Sequence, residues 1–336
     1  MTKTLLRRRS AALAATLLSA TLVLGACGSD SDSGGSEDTA SENRSFKADN
    51  GTVEIPTAPD RIVALGSAGI YLSLGVEPVG LGPGATAEDL AWLPAEAEKA
   101  NEGAVDLGEE IDYEKVAGLE PDLIVVFEPA HVWEAGAYNE ERLTSVAPTI
   151  YIELSTENWK AQVERLADAV GAVDTFEADK SAYDTLAAEI KDEYSETLGS
   201  TTFTVLNRWG GQFTPEAGTL NMEYPGGYCV NHLEDAGLKI VPEDPPANGD
   251  LSTEMSVEQL SDTVADSDVL IYPLGADGKV TPEFAPVLET NIWKSLPQVK
   301  AGRALGVKCD TTLTYSTKVV LLESLETALG TLPDAG

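Results

Sequence analysis

The chain has 336 residues, with 22 Lys and Arg against 56 Asp and Glu, a formal net charge of -34, two histidines and three cysteines. A surface of that sign repels nucleic acid and anionic lipid headgroups, so neither is expected as a partner. The two histidines, His131 and His232, share no ligand spacing, which disfavours a zinc or manganese site built on several imidazoles.

Residues 1–26 have the layout of an export signal. Lys3, Arg7, Arg8 and Arg9 precede an apolar run over residues 11–24 that is too short to span a bilayer comfortably. The run ends in Leu24-Gly25-Ala26-Cys27, which resembles the bacterial lipobox. That resemblance implies a diacylglyceryl group on Cys27 and an anchor on the outer face of the cytoplasmic membrane; lipid is the one covalent group expected. Loss of residues 1–26 would leave 18 basic residues against 56 acidic ones, a net charge of -38. Residues 27–45, GSDSDSGGSEDTASENRS and its flanks, carry almost no apolar side chains and read as a flexible tether.

An N-terminal α/β lobe is expected over residues 46–172. Residues 61–65 read as a buried strand, Gly66 and Ser67 as a turn, residues 68–74 as a helix and residues 78–81 as a parallel strand. A second unit has a short helix at DYEKVAGL, a turn at Glu120-Pro121-Asp122 and a strand over residues 123–127. The loop EPAHVWEAG follows at the edge where ligands gather in open α/β sheets, which makes Glu128, His131 and Trp133 candidate ligand contacts. Another strand is expected over residues 149–152 and a helix over residues 156–171.

Residues 173–198 form the link to the second half. Phe176, Tyr183, Leu186, Ala187, Ile190, Tyr194 and Leu198 recur at helical spacing, with neither glycine nor proline between residues 174 and 198. Asp174 and Glu177 offer a capping start, and the helix would run roughly 35 Å, long enough to join two lobes.

The second lobe, residues 199–336, repeats the layout. Strands are expected over residues 202–206, 268–272 and 304–308, a short helix after Ser256, and a closing helix over residues 318–329. Arg208, Trp209, Tyr224, Tyr228, Tyr272 and Tyr315 fall in its turns and strand ends. Aromatic faces with a few charges suit a bulky, partly planar ligand, and the Arg208 fork suits an oxygen of a metal chelate. Cys229 and Cys309 are expected to pair in an exported protein, two buried free thiols being the alternative. The pairing would close a loop of about 80 residues, worth on the order of 4 kcal/mol in the chain-entropy treatment.

No GxSxG elbow, Walker A loop or HExxH helix occurs, so no enzymatic activity is expected. At IDYEKVAGLEPDLIVVFE the chain resembles the ABC-transporter substrate-binding proteins of the iron-siderophore and cobalamin type. PDRIVALGSAGIYLSLGVEPVGLG, LTSVAPTIYIE and NIWKSLPQVKAGRALGV extend the resemblance from about residue 57 to residue 332. The resemblance implies two Rossmann-like α/β lobes with mainly parallel sheets, joined by one long rigid helix, the class III periplasmic-binding-protein fold. It implies a monomeric receptor that takes a ferric siderophore between its lobes and delivers it to the permease of an ABC importer, with ferric iron held only as the chelate and no direct protein ligand to the metal. It further implies one permease-facing acid on each lobe, Glu114 in the first and Glu258 in the second, with Glu254 an alternative to Glu258. A haem or cobalamin receptor of the same fold is the second reading, and a secreted hydrolase the third.

Overall fold

In the computed structural model of the protein, the described residues are 42–208 and 218–333. The chain opens with a hairpin, β1 (Asn43–Ala48) and β2 (Gly51–Pro56). Residues 43–45, expected in the tether, are therefore strand. NRS lacks a hydrophobic pattern of its own and is ordered by pairing with β2, while Phe46, Ala48 and Ile55 take its inner face into the core.

Five parallel strands build the first lobe: β3 (Ile62–Gly66), β4 (Gly80–Gly82), β5 (Val105–Asp106), β6 (Leu123–Glu128) and β7 (Thr149–Glu153), in the order β5-β4-β3-β6-β7. β3 and β6 are central and buried, as expected of continuous apolar runs covered on both faces. The second lobe holds β8 (Thr202–Asn207), β9 (Thr219–Glu223), β10 (Lys239–Ile240), β11 (Ser252–Ser256), β12 (Val269–Leu274) and β13 (Ala304–Lys308). Their order is β11-β9-β8-β12-β13, with β10 beside β8. The parallel expectation holds for β8, β10, β12 and β13, but β9 and β11 are antiparallel and make this sheet mixed. TLNME and STEMS are short and half polar, so periodicity alone did not mark them as strands.

The interlobe helix spans Val173–Glu193, about 32 Å at 1.5 Å per residue. It stops at Tyr194 (φ -100°, ψ 18°) and a separate short helix, Ser195–Ser200, completes the link, so the expected single helix is two. Nor does Asp174 cap it. The preceding helix, Trp159–Val170, ends at Gly171 in the left-handed region (φ 76°), and the interlobe helix starts from Ala172 without a side-chain cap.

This helix is not a free-standing strut. Phe176, Tyr183, Ala187 and Ile190 form one buried stripe, packed with the closing helix (Tyr315–Leu329). Tyr315 stands at the centre of this joint. Its ring centroid lies 4.9 Å from Trp159, 5.4 Å from Phe176 and 5.3 Å from Tyr183. One hydrophobic core thus takes residues from both sheets and from the helix between them. Around it, Tyr183 donates its hydroxyl proton to Asp235, which also pairs with Lys160.

Truncating Tyr315 to alanine removes the ring that touches all three neighbours. It should lower the unfolding free energy by about 3–5 kcal/mol, the range for large buried aromatic side chains, seen as a lower urea midpoint in equilibrium unfolding.

Candidate functional site

The carboxyl ends of parallel strands are where an open α/β sheet presents loops and helix starts to a ligand. In the first lobe that edge carries Gly66, Gly82 and Glu128. Gly66 is there for two reasons: its φ of +97° disfavours side chains, and a Cβ would stand 2.5 Å from Cγ of Glu128 and 2.5 Å from the Phe127 carbonyl oxygen. Burial, the dominant cause, raises the Glu128 carboxyl above the usual glutamate range. In the second lobe the same edge carries Asn207 at the end of β8, Arg208 after it, and the segment 309–314 after β13. The two edges meet where a Cβ on Gly69, in the first helix after β3, would lie 3.7 Å from Cγ2 of Thr312.

Beneath the second edge lies a buried polar network. Asn207 donates through Nδ2 to Oε1 of Glu223 at 2.9 Å, and this nitrogen also lies 3.3 Å from Sγ of Cys309 and 3.4 Å from Sγ of Cys229. Its Oδ1 accepts the backbone N–H of Arg208 at 2.7 Å. The other oxygen of Glu223 accepts the Cys229 N–H at 3.0 Å, an approach open because residue 227 is glycine: a Cβ there would stand 2.8 Å from Oε2. Cys229 and Cys309 are joined, with their Cα atoms 5.3 Å apart, tying the start of residues 229–235 to the end of β13.

Lys318, in the closing helix, is fully buried and donates to the carbonyls of Tyr228 at 3.0 Å and Asp310 at 3.2 Å. Desolvation lowers its ammonium to about 8, against the opposing pull of the Asp310 and Glu223 charges. Burial raises both Glu223 and Asp310 although Lys318 pulls each down. His232 is fully buried near this lysine, and burial together with the Lys318 charge holds its imidazole well below the usual histidine range. Lys318 therefore fixes two cleft-edge segments at once. A lysine inside the apolar helix YSTKVVLLESLETAL was the signal for this role, and sequence reading passed over it.

The expected ligand contacts separate into groups. Arg208 is half-buried at the edge, with Nη1 donating to the Glu283 carbonyl at 3.1 Å, so its guanidinium is positioned by the fold. Tyr228 is 39% exposed, and His131 is exposed in the short helix Ala130–Glu134 that follows β6, where the sequence reading expected an open loop. Tyr315 and Tyr224, by contrast, are only 4% and 8% exposed. The first forms the interlobe joint, and the second packs in the core under β9, where its hydroxyl accepts from Thr253 at 3.2 Å. Their rings present almost no surface to a ligand, which corrects the expectation for both; aromatic identity at a strand end does not distinguish core from cleft. Tyr272 is half-buried, with its ring 6.1 Å from Phe284 and 5.8 Å from Trp293. It lines a cavity of about 520 Å³ made wholly of second-lobe residues, among them Lys308, Glu323 and Ser324. That cavity flanks the edge strand β13 and receives nothing from the first lobe, so the meeting of the two carboxyl edges is the better candidate site. Trp133 turns back onto Tyr151 of β7, ring centroids 5.4 Å apart. Trp92, half-buried in the segment after β4, is an aromatic at the first-lobe edge that sequence reading did not select. Trp209 and Cys27 lie outside the described residues.

Glu114 is exposed in the first turn of the helix Tyr113–Gly118, whose N-cap Asp112 accepts the N–H groups of Glu114 at 3.1 Å and Lys115 at 3.2 Å. Glu258 is exposed in the single 3-10 turn Val257–Gln259, where the Gln259 side chain accepts the N–H of Ser256 at 3.0 Å. The strands that follow, β6 and β12, each lie beside the first strand of their sheet, β3 and β8, so the two glutamates occupy matching places. Glu254 instead belongs to β11 and accepts from Thr219 at 2.7 Å.

Two α/β lobes sharing one core and presenting their strand ends to each other define the solute-binding receptors with a rigid interlobe link. The chain belongs to the periplasmic binding protein family, which it matches over residues 62–308. It is 28% identical to the iron(3+)-hydroxamate-binding protein FhuD of Bacillus subtilis over 324 residues, covering 94% of this chain and 95% of that one. It is 30% identical to the iron(3+)-hydroxamate-binding protein YxeB of the same organism over 301 residues, 84% of each. Among solved structures, the siderophore periplasmic binding protein from the fuscachelin gene cluster of Thermobifida fusca superposes with a TM-score of 0.68 at 25% identity, over 83% of this chain and 99% of that one.

The sign of the Lys318 contribution can be tested. Its folded-state value near 8 is below the ordinary 10.5, so the folded state binds this proton less tightly than the unfolded state. The penalty for burying the charge is full below pH 8 and is relieved as pH rises towards 10.5. The unfolding free energy of the wild type, measured relative to Lys318→Met, should therefore rise by up to about 3 kcal/mol across pH 8 to 10.5. Taking the difference removes the titrations common to both proteins; a flat difference would contradict the buried charge.

Proposed function

We propose that the chain is an extracytoplasmic receptor that holds a ferric siderophore of the hydroxamate type between its lobes and delivers it, chemically unchanged, to an ABC importer. The observation that carries this reading is the approach of the two strand-end edges at Gly69 and Thr312, with Glu128 on one side and Arg208 and Tyr228 on the other. Arg208 offers a fixed, charge-assisted donor to the oxygens of a chelate, and Tyr228 and Trp92 offer ring surface to its ligand backbone. The relatives FhuD and YxeB, both named for iron(3+)-hydroxamate binding, favour this chelate class over haem or cobalamin. Iron then enters as cargo inside the chelate, and no covalent step is assigned to the protein.

In the same reading Cys27 carries the lipid that holds the receptor at the outer face of the cytoplasmic membrane, and the receptor acts as a monomer. Among the described residues no helix is long and apolar enough to cross a membrane. Glu114 and Glu258 are the two charges offered to the permease, with Glu258 preferred to Glu254 because it matches Glu114 in its place before a central strand.

Intrinsic tryptophan fluorescence titrated with ferric ferrioxamine B should show saturable quenching. Arg208→Ala should weaken binding by about tenfold or more, as loss of one charge-assisted hydrogen bond requires. Saturation by haem or by a ferric catecholate, with no response to the hydroxamate, would overturn the ligand assignment. In cells, Glu114→Ala with Glu258→Ala should abolish uptake of the iron complex while affinity stays within about twofold, since the exposed charges do not touch the cleft. Uptake at the normal rate would reject the docking assignment.

A further inference from the structure

Glu128 ends the central strand β6 at the first-lobe edge of the cleft. Its side chain is half-buried, and its stem passes over Gly66, where a Cβ would stand 2.5 Å from its Cγ and 3.0 Å from its Cδ. Its carboxylate oxygens nevertheless keep contact with solvent, and among the described residues neither accepts a hydrogen bond nor meets a cation. The acid on the facing edge, Asp310, is in a different state. Its Oδ2 accepts the Thr312 N–H at 2.9 Å, and the Lys318 charge stands close enough to pull it down.

The groups around Glu128 do not neutralise it. Tyr71, in the first helix after β3, directs its hydroxyl to the carbonyls of Leu65 at 3.1 Å and Val125 at 3.0 Å, so it is committed elsewhere. Tyr138 stays a neutral phenol, because burial first and the Glu128 charge second push its hydroxyl up. Burial also raises Glu128, as expected of a carboxylate that has lost part of its water and gained no donor. Such a group costs free energy unless a cation meets it, and an anion at the same place would add repulsion in a partly dehydrated setting.

The cargo can supply the complement. In a ferric trihydroxamate each hydroxamate carries one negative charge, so the iron-bound core is uncharged and the net charge of the complex is that of its arms. Arg208, on the facing edge, is suited to the oxygens of the core. A lone carboxylate has nothing to offer those oxygens. It discriminates among complexes by what they carry outside the core.

We propose that Glu128 is a specificity-determining residue of the cleft, pairing with a protonated amine on an arm of the bound chelate and so selecting hydroxamate complexes with a cationic arm over those with a neutral or acidic one. The inference rests on the siderophore reading and adds the charge class of the chelate to it.

The test compares three ferric complexes built on the same core: ferrioxamine B, whose arm ends in a primary ammonium, its N-acetyl derivative, whose arm is neutral, and its N-succinyl derivative, whose arm ends in a carboxylate. Each is titrated at neutral pH into the wild type, Glu128→Gln and Glu128→Ala, with tryptophan fluorescence as the readout. The wild type should bind ferrioxamine B about tenfold more tightly than the N-acetyl complex, as one charge-assisted hydrogen bond requires, and the N-succinyl complex least tightly. In both variants the three affinities should lie within about threefold of one another. Each result is a ratio within one protein, so partial unfolding of a variant does not imitate it. Equal affinities in the wild type, or an ammonium preference that survives in both variants, would overturn the assignment and leave the receptor reading intact. Failure of all three complexes to bind the wild type would instead reject the siderophore reading, and the assignment with it.

Discussion

The arrangement depends on the burial of Tyr315 between the lobes. Its ring is shared by Trp159 before the interlobe helix and by Phe176 and Tyr183 upon it, while its own helix belongs to the second lobe. Separating the lobes by a wide hinge would expose this cluster, at roughly 25 cal/mol for each Å² of apolar surface brought into water. The interlobe helix is consequently a packed element of a common core.

The same closing helix reaches the cleft through Lys318, one turn beyond Tyr315. Its ammonium group holds the carbonyls of Tyr228 and Asp310, while Glu223 receives Cys229 and Asn207. A buried charge with several partners is weak evidence for stability, because desolvation offsets much of the attraction. Its value here is positional. Arg208, Tyr228 and Thr312 lie in three different loops, and the network, together with the Cys229–Cys309 link, gives those loops a common anchor.

Much of this architecture is legible in the sequence because central parallel strands carry unbroken apolar runs; IVALG and LIVVFE announce themselves, and the glycines after β3 and β4 mark the edge. The antiparallel strands β9 and β11 were not legible, since half-polar pentapeptides acquire strand geometry from their neighbours. The site divides along the same line. Arg208 and Tyr228 lie at the edge, as their place after a strand or in a glycine-rich turn suggests. Tyr224 and Tyr315 have the same local context but are buried, because burial is decided by helices distant in sequence. Lys318 and Glu223 act through one another's neighbours, and no local pattern couples positions 95 residues apart.

The most direct test of a fixed interlobe joint is a distance measurement across it. Spin labels on Ala117→Cys and Ser261→Cys, both exposed and on helices of opposite lobes, would be measured by pulsed electron resonance in the free and ferric-ferrioxamine-B-saturated protein. One narrow distance distribution is expected in the free state, with a shift of only a few ångströms on saturation. A broad or two-peaked free-state distribution, or a closure of about 10 Å or more such as hinged domains undergo, would contradict it.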